Sequence, residues 1–363
     1  MRKFDPHLIL RPELAELKAY SPLTGNFEVR LDANEAPATL SPKAKKRLAI
    51  VASEIDYSAY PDAGQKELRA AIAARMGLLP AQICVGVGSD ELITLLLTVM
   101  TRTKSKVPCP TILTTTPTFV MYRLSARVRG QRVIEVPLDE QWDIDVEGMK
   151  RAVSATDPNV IFIATPNNPT GTMASHDRLL ELIESTPNAL IVIDEAYIDY
   201  ASRNHIALLN QYENVVILRT LSKIGFAALR VGWLAGSRAL VAELDKARLP
   251  YNLSTHSQKL AQVALSELSE EIDATTLLVK NERARLAQEL DSLPGVRVVP
   301  SEANFLWLEL EQPAESVMNA LMKQKILVRS FSGRGGRLDR CLRVTIGTEE
   351  NNQRFLDALR RSL

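Results

Sequence analysis

The sequence predicts an α/β protein in which a large, mostly parallel sheet of seven strands is followed by a smaller α+β region. Between about residues 83 and 235, short apolar runs rich in β-branched residues alternate with longer segments of helical periodicity. This alternation is typical of parallel strands connected by crossover helices. After Pro250 the pattern changes to a long helical stretch and then to further strand-like segments, which favours a second unit of mixed composition.

The individual elements follow from local composition. Strands are predicted where β-branched and apolar residues cluster between turn residues, over residues 83–87, 111–115, 131–136, 160–164, 190–194, 215–218 and 232–235. Helices are predicted over residues 91–100, 148–155 and 175–184, the last with Ser175 as its N-terminal cap. In the second unit we expect a helix over about 257–290 and strands over 296–299, 304–310, 326–329 and 341–346.

Three parts are predicted from this organisation. Residues 1–40 contain several prolines and little apolar periodicity, which indicates an N-terminal arm lying over another part of the protein. Residues 41–253 would form the large domain, and residues 254–363 the small C-terminal domain.

Composition narrows the range of functions. With 44 basic and 43 acidic residues the net charge is +1, which gives no electrostatic reason to expect nucleic acid or an anionic membrane as a partner. No apolar run approaches the roughly 20 residues of a membrane span, and the first residues lack a secretory signal, so we expect a cytoplasmic protein. The three cysteines and four histidines have no metal-ligand spacing, and no metal is expected.

Two charged residues follow predicted strands and are candidates for chemistry. Lys223 lies in a Ser-Lys pair after the strand at 215–218, with Arg230 seven residues later. This arrangement suits a lysine that binds a phosphorylated aldehyde, although an isolated lysine is more often simply solvated. Asp194 ends the run Leu-Ile-Val-Ile-Asp, and a buried carboxylate needs a cationic partner. Either a protonated ring nitrogen or a nearby arginine could supply it.

Other candidates lie at neighbouring strand ends, where open α/β sheets bind ligands. The segment 86–91 connects a strand to a helix, so the amides of Ser89 and Asp90 could bind an anion or could simply form a capped turn. Asn168 lies in an Asn-Pro-Thr-Gly turn that presents its amide, and Tyr197 follows Asp194 by three residues. Each has an ordinary alternative in turn chemistry or packing.

The order of these motifs resembles the fold-type I aminotransferases that use pyridoxal 5'-phosphate (PLP). The chain contains, in this order, Asn-Pro-Thr-Gly, Asp-Glu-Ala-Tyr and Ser-Lys with a following Arg. Further segments at 31–37, 60–62, 88–91, 117–122, 250–254 and 342–347 resemble more narrowly the histidinol-phosphate aminotransferases. The similarity extends over nearly the whole chain.

This resemblance implies a role for each matching position. Lys223 would bind the cofactor covalently and then move a proton as an acid and base. Asp194 would keep the pyridine nitrogen protonated, and Tyr197 and Asn168 would hydrogen-bond the phenolic oxygen of the ring. The other cofactor contacts implied are Ser89, Asp90, Ser222 and Arg230 at the phosphate, Phe119 stacked on the ring, and Tyr60 reaching the phosphate of a neighbouring subunit in a homodimer.

For the substrates, the resemblance implies that Arg343 receives a carboxylate and that Arg329 adds a second cation. Tyr20 and Asn34 would belong to the substrate pocket. The implied reaction is amino transfer between L-glutamate and imidazole-acetol phosphate, which gives L-histidinol phosphate and 2-oxoglutarate in histidine biosynthesis. Three alternatives stay open at this point: a threonine-phosphate decarboxylase, an aromatic-amino-acid aminotransferase, and a regulatory domain that binds PLP without turnover.

Overall fold

The computed structural model describes residues 4–17, 19, 23–37, 40–104 and 108–363. The strands are β1 (Val29–Arg30), β2 (Ile83–Val87), β3 (Thr111–Thr116), β4 (Arg132–Pro137), β5 (Val160–Ala164), β6 (Leu190–Asp194), β7 (Val215–Thr220), β8 (Val231–Ala235), β9 (Val296–Val299), β10 (Phe305–Leu310), β11 (Ile326–Leu327), β12 (Arg329–Ser330) and β13 (Cys341–Thr345).

The helices are α1 (Pro42–Ser53), α2 (Lys66–Met76), α3 (Gly88–Val99), α4 (Met121–Val128), α5 (Val146–Thr156), α6 (His176–Glu184), α7 (Arg238–Ala247), α8 (Thr255–Glu267), α9 (Ser269–Asp291), α10 (Ala314–Lys323) and α11 (Glu349–Arg360). Short 3-10 turns connect several of them.

The large sheet has the strand order β2-β8-β7-β6-β5-β3-β4. All neighbouring pairs are parallel except those of β8, which runs antiparallel to both β2 and β7. The predicted α/β class and the mostly parallel sheet of seven strands are therefore confirmed. In the register of the sheet, Asp194 lies opposite Ala164 of β5 and Leu218 of β7, so the carboxyl ends of these strands meet at one edge.

Both faces of this sheet are covered. Alternate residues of β5 and β6 enter two separate apolar cores, with Ile163 and Ile193 on one side and Phe162 and Val192 on the other. Strands that are buried on both faces have continuous apolar sequences, which explains why the predicted bounds of these strands agree with those of the structure. The same alternation places Asp194 on the side of Val192 and Phe162.

The long helix predicted over 257–290 is wrong in one respect, because the structure contains two helices there. Leu268 separates α8 from α9 with φ −114° and ψ 23°, a conformation outside the α-helical region. Its side chain is buried in the core. Apolar periodicity continues across the break, so the pattern of the sequence could not reveal it.

The second sheet is antiparallel, with the order β12-β13-β10-β9. The strand predicted over 326–329 is divided, since β12 pairs with β13 while β11 pairs in parallel with β1. This pairing brings the end of the N-terminal segment into the core, where Val29 and Leu31 are fully buried. The division of the chain at residues 41 and 254 stays a prediction.

A close backbone contact positions the start of α3. A Cβ atom added to Gly232 of β8 would lie 2.5 Å from the carbonyl carbon of Gly88 and 2.5 Å from the amide nitrogen of Ser89. Both are backbone atoms, so they cannot rotate away. Glycine at this position is what allows the first turn of α3 to lie against the strand.

We expect Gly232→Ala to destabilise the protein by about 1–3 kcal/mol, because the methyl group would force the backbone of β8 and α3 apart. Urea unfolding of the variant measures this change. Gly64→Ala is the matched control, since its Cβ would meet only side-chain atoms at 3.4 Å or more. Equal stability of the two variants would contradict the proposed contact.

Candidate active site

A cavity of about 260 Å³ lies where the carboxyl ends of the large sheet face the second sheet. Most of the residues singled out in the sequence line it: Asn34, Ser89, Asp90, Phe119, Asn168, Asp194, Tyr197, Ser222, Lys223, Arg230, Arg329 and Arg343. They come from eight separate segments of the chain. The large sheet brings most of them to one edge, whereas Asn34, Arg329 and Arg343 come from outside that sheet.

Asp194 is the most constrained of these side chains. It is 3% exposed, and it accepts hydrogen bonds from the Tyr122 hydroxyl at 2.5 Å and from the backbone N–H of Ala196 at 3.0 Å. Burial raises the pKa of Asp194 to about 6, although both hydrogen bonds oppose the shift. Among the described residues, no lysine or arginine forms an ion pair with it. The carboxylate therefore faces the cavity without an ion-pair partner among these residues, and the charge of Lys223, which lines the same cavity, lowers its pKa less than the other causes do.

The adjacent Glu195 has the arginine that Asp194 lacks. Glu195 is fully buried and accepts from Arg219 at 2.7–2.8 Å, while His205 donates from its backbone N–H at 2.7 Å. Successive residues at the end of a strand point in opposite directions, so the arginine serves the buried side and not the cavity. Of the two cationic partners considered for Asp194, the arginine is therefore already paired elsewhere.

Lys223 ends a 3-10 turn that directly follows β7. Thr220 caps this turn by accepting from the backbone N–H of Ser222 at 3.1 Å, and the Tyr200 hydroxyl donates to the Lys223 carbonyl at 2.5 Å. The Lys223 Nζ lies 5.7 Å from the centre of the Tyr197 ring. It forms no hydrogen bond or ion pair with any residue that the structure describes, so the amine is available to a ligand in the cavity.

One end of the cavity is suited to an anion. The first turn of α3 presents backbone N–H groups that have no partner within the helix, at Ser89 and Asp90. Arg230 reaches the same place in a left-handed conformation, 3.4 Å from the Ser222 hydroxyl and 3.5 Å from a carboxylate oxygen of Asp90. Hydroxyl, guanidinium and helix N-terminus together match the groups that proteins use for phosphate.

The opposite wall is formed by the second sheet. Arg343 of β13 is 8% exposed and donates to the Asn168 side-chain oxygen at 2.6 Å and to the Asp32 carbonyl at 2.5 Å. Asn34 donates from its side chain to the Tyr197 hydroxyl at 3.0 Å. Arg329 lies directly across the strand pair from Arg343, on the same face.

One described residue of the prediction, Tyr60, does not line this cavity. Tyr60 is 81% exposed and stacks on Tyr251 with the ring centres 4.7 Å apart. Tyr20 lies outside the described residues. The sequence analysis did not single out several residues that line the cavity, among them Tyr122, Thr220 and Arg334. Tyr122 ends the segment 117–122 that carries part of the resemblance, but its bond to Asp194 spans 72 positions and gives no local signal.

Two properties of the described residues bear on other functions. In the part of the chain that the structure covers, no group of three or more histidine, cysteine or acidic side chains has an arrangement that could hold a metal ion. Likewise, none of the described helices combines the length and the apolar character needed to cross a membrane.

Because the pKa of Asp194 is higher in the folded protein than in the unfolded chain, the ligand-free fold loses stability as the pH rises from about 4 to 6. Asp194→Asn removes this ionisation. We expect the variant without cofactor to be more stable than the wild type by up to about 3 kcal/mol at pH 8, with no such gain at pH 4.

Urea unfolding at both pH values measures the difference. Asp273→Asn, on the exposed face of α9, is the matched control and should show no pH-dependent gain. A variant that is equally or less stable at pH 8 would refute the uncompensated burial of Asp194.

Comparison with known proteins agrees with this geometry. A family model described as aminotransferase class I and II matches residues 28–359. The chain is 38% identical over 350 residues to a histidinol-phosphate aminotransferase of Aquifex aeolicus, covering 96% of this chain and 97% of that protein. It is 36% identical over 353 residues to histidinol-phosphate aminotransferase 2 of Nitrosococcus oceani, covering 97% and 96%.

Among solved structures, histidinol-phosphate aminotransferase from Sinorhizobium meliloti in complex with pyridoxal-5'-phosphate superimposes with a TM-score of 0.85. The sequences are 24% identical, and the match covers 98% of this chain and 97% of that one. At this identity the structural similarity shows the fold alone. The two curated relatives and the family model show the family to which the chain belongs. The chain therefore belongs to the class I and II aminotransferases, and within them to the histidinol-phosphate aminotransferase family.

Proposed function

We propose that this protein uses PLP to transfer an amino group reversibly between L-glutamate and imidazole-acetol phosphate, giving L-histidinol phosphate and 2-oxoglutarate. One observation supports this most: the buried Asp194 carboxylate and the Lys223 amine, which has no ion pair among the described residues, line the same cavity as Ser222, Arg230 and the first turn of α3, groups that suit a phosphate. The names of the curated relatives support the choice of substrates.

The residues present fit this cofactor. Asp194 is a buried anion without an ion-pair partner among the described residues, and a protonated pyridine nitrogen would supply one. Ser222, Arg230 and the first turn of α3 would bind the phosphate of the cofactor. Phe119 lines the same cavity, held edge to face by Tyr122 at 5.5 Å, and would stack on the ring.

PLP, when bound, acts as an electron sink for the carbon that carries the amino group. The side chains of this protein would do the rest. Lys223 would form the covalent bond to the cofactor and, once displaced by the amino substrate, hold and return the proton at Nζ. Asp194 would keep its charge opposite the ring nitrogen. Tyr197 and Asn168 would hydrogen-bond the phenolic oxygen, with Asn34 fixing the Tyr197 hydroxyl.

The substrates would lie between the ring site and the second sheet. Arg343 is held rigidly by Asn168 and Asp32, so its planar guanidinium is ready to receive a carboxylate. Arg329 would provide a second cation on the same face. Asn34 and Tyr20 are proposed to complete this pocket.

We further propose a cytoplasmic homodimer in which Tyr60 contributes to the active site of the partner subunit. Tyr60 and Tyr251 form an exposed aromatic pair outside the cavity of their own subunit. Large exposed aromatic side chains are typical of protein interfaces, which supports the use of this surface in association.

The deciding experiment compares three activities of the purified enzyme. Glutamate-dependent amino transfer to the phosphorylated ketone should be rapid, whereas release of carbon dioxide from threonine phosphate should be absent. An aromatic amino acid in place of histidinol phosphate should react poorly. Dominant decarboxylation would overturn the proposal in favour of a decarboxylase. Absence of any spectral response to glutamate would favour a regulatory protein.

We expect Lys223→Ala to abolish amino transfer, with a loss of at least about 1,000-fold in kcat, since both the covalent bond and the proton carrier disappear. Borohydride reduction followed by peptide mapping should label Lys223 in the wild type. Lys246→Ala, an exposed lysine of α7, should retain full activity. Labelling of another lysine would remove the basis of the proposal.

The shared site can be tested by subunit mixing. Tyr60→Ala and Lys223→Ala should each be impaired alone, whereas co-refolded subunits should recover up to about a quarter of the wild-type activity. The reason is that about half of the dimers would be mixed, and each mixed dimer would contain one complete site. If mass spectrometry detects mixed dimers but no activity is recovered, Tyr60 does not contribute to the active site of the partner subunit.

A further inference from the structure

A third arginine, which the roles above leave unused, lines the same cavity. Arg334 follows β12 in the chain, and its guanidinium carbon lies 4.9 Å from the centre of the Phe331 ring. Although the residue as a whole is exposed, this contact directs its charged group toward the cavity wall formed by Phe331 and Arg329.

The backbone that carries Arg334 is fixed despite its exposure. One carboxylate oxygen of Asp339 accepts from three successive N–H groups, those of Gly333 at 2.8 Å, Arg334 at 3.1 Å and Gly335 at 3.1 Å. Gly333 and Gly335 have φ values of 80° and 84°, which other residues rarely adopt. Asp339 therefore stabilises a turn that presents one particular side chain.

The charge at this end of the cavity is uncompensated. Within the described residues, neither Arg329 nor Arg334 forms an ion pair or a side-chain hydrogen bond, unlike Arg343. The pKa of Arg334 is lowered, mainly by partial burial and to a smaller extent by the nearby positive charges of Arg329 and Arg123. The group stays protonated at neutral pH, because arginine titrates far above it. Cations held near one another without a carboxylate favour an anionic ligand.

We propose that Arg334, together with Arg329, binds the phosphate group of the phosphate-ester substrate, and that Arg334 thereby determines selectivity for phosphorylated over unphosphorylated amines. This inference rests on the proposed function. A phosphate monoester has nearly two negative charges at neutral pH and three acceptor oxygens, which suit two guanidinium groups. Each of the two carboxylates of glutamate has one charge, and Arg343 and Arg329 are sufficient to receive them without Arg334.

The test uses the holoenzyme and three amino donors: histidinol phosphate, histidinol and L-glutamate. For Arg334→Gln we expect kcat/KM with histidinol phosphate to fall about 10- to 100-fold, mainly through KM, because a charge-assisted hydrogen bond is lost. The half-reactions with histidinol and glutamate should change less than about twofold. Arg334→Lys, which keeps the charge, should recover part of the loss.

Arg340→Gln is the matched control. It removes the same charge from an exposed position six residues further along, outside the cavity lining, and should leave all three reactions unchanged. An equal loss with all three donors, or a loss with glutamate alone, would overturn the inference. An unchanged reaction with histidinol phosphate would overturn it as well.

A binding measurement separates this inference from the proposed function. Calorimetric titration with inorganic phosphate should show binding to the wild-type holoenzyme about tenfold tighter than to Arg334→Gln. If the wild type reacts with neither glutamate nor histidinol phosphate, the proposed function fails, and this titration alone decides the role of Arg334. Equal affinities would then exclude a phosphate site at this turn.

Discussion

The site depends on the burial of the Asp194 carboxylate, which has no ion-pair partner among the described residues. Such a group raises its own pKa and destabilises the empty fold, so it persists only where its surroundings hold it in place. Tyr122 does much of this, because its ring is fully buried and stacks on Phe162 with the centres 4.6 Å apart. The hydroxyl that contacts Asp194 is thus fixed by the apolar core on that face of the sheet.

Two neighbouring acids show how the fold distributes charge. Glu195 is neutralised within the protein by Arg219, whereas Asp194 is left for a ligand. The arginines differ in the same way: Arg343 donates to Asn168 and Asp32, whereas the side chains of Arg329 and Arg334 have no hydrogen-bond or ion-pair partner in the described part of the chain. Charged side chains that are neutralised within the protein hold neighbouring segments in place. Charged side chains that lack an ion-pair partner mark the places where a ligand of opposite charge would be stabilised.

The sequence predicted much of the fold for a physical reason. The strands of the large sheet are buried on both faces, and their apolar runs end at polar residues, so the bounds of β2 and β5 were obtained without error. Prediction from the sequence failed where tertiary contacts determine the local structure. Leu268 breaks a helix whose periodicity continues, and the run at 326–329 divides because its two halves pair with different strands.

The same distinction applies to the site. Side chains at strand ends were found because parallel strands must bring their ends together, and the family resemblance supplied Asn34 and Arg343. Tyr122 and Arg334 were missed, since one acts across 72 positions and the other depends on a turn held by Asp339. Neither arrangement has a local pattern that would distinguish it from an ordinary core tyrosine or a solvated arginine.

Asn34 connects the two halves of the site mechanically. With φ of 57° it adopts a left-handed conformation that asparagine tolerates, and it is almost completely buried. Its side chain donates to the hydroxyl of Tyr197, which follows β6 of the large sheet, while its backbone bonds Thr345 of β13 and Asn304, which directly precedes β10. Because one residue connects segments next to both sheets, displacing the second sheet would move the Tyr197 hydroxyl as well. The wall that carries the arginines and the wall that carries Asp194 and Lys223 are therefore coupled, so a substrate held by one is held in register with the other.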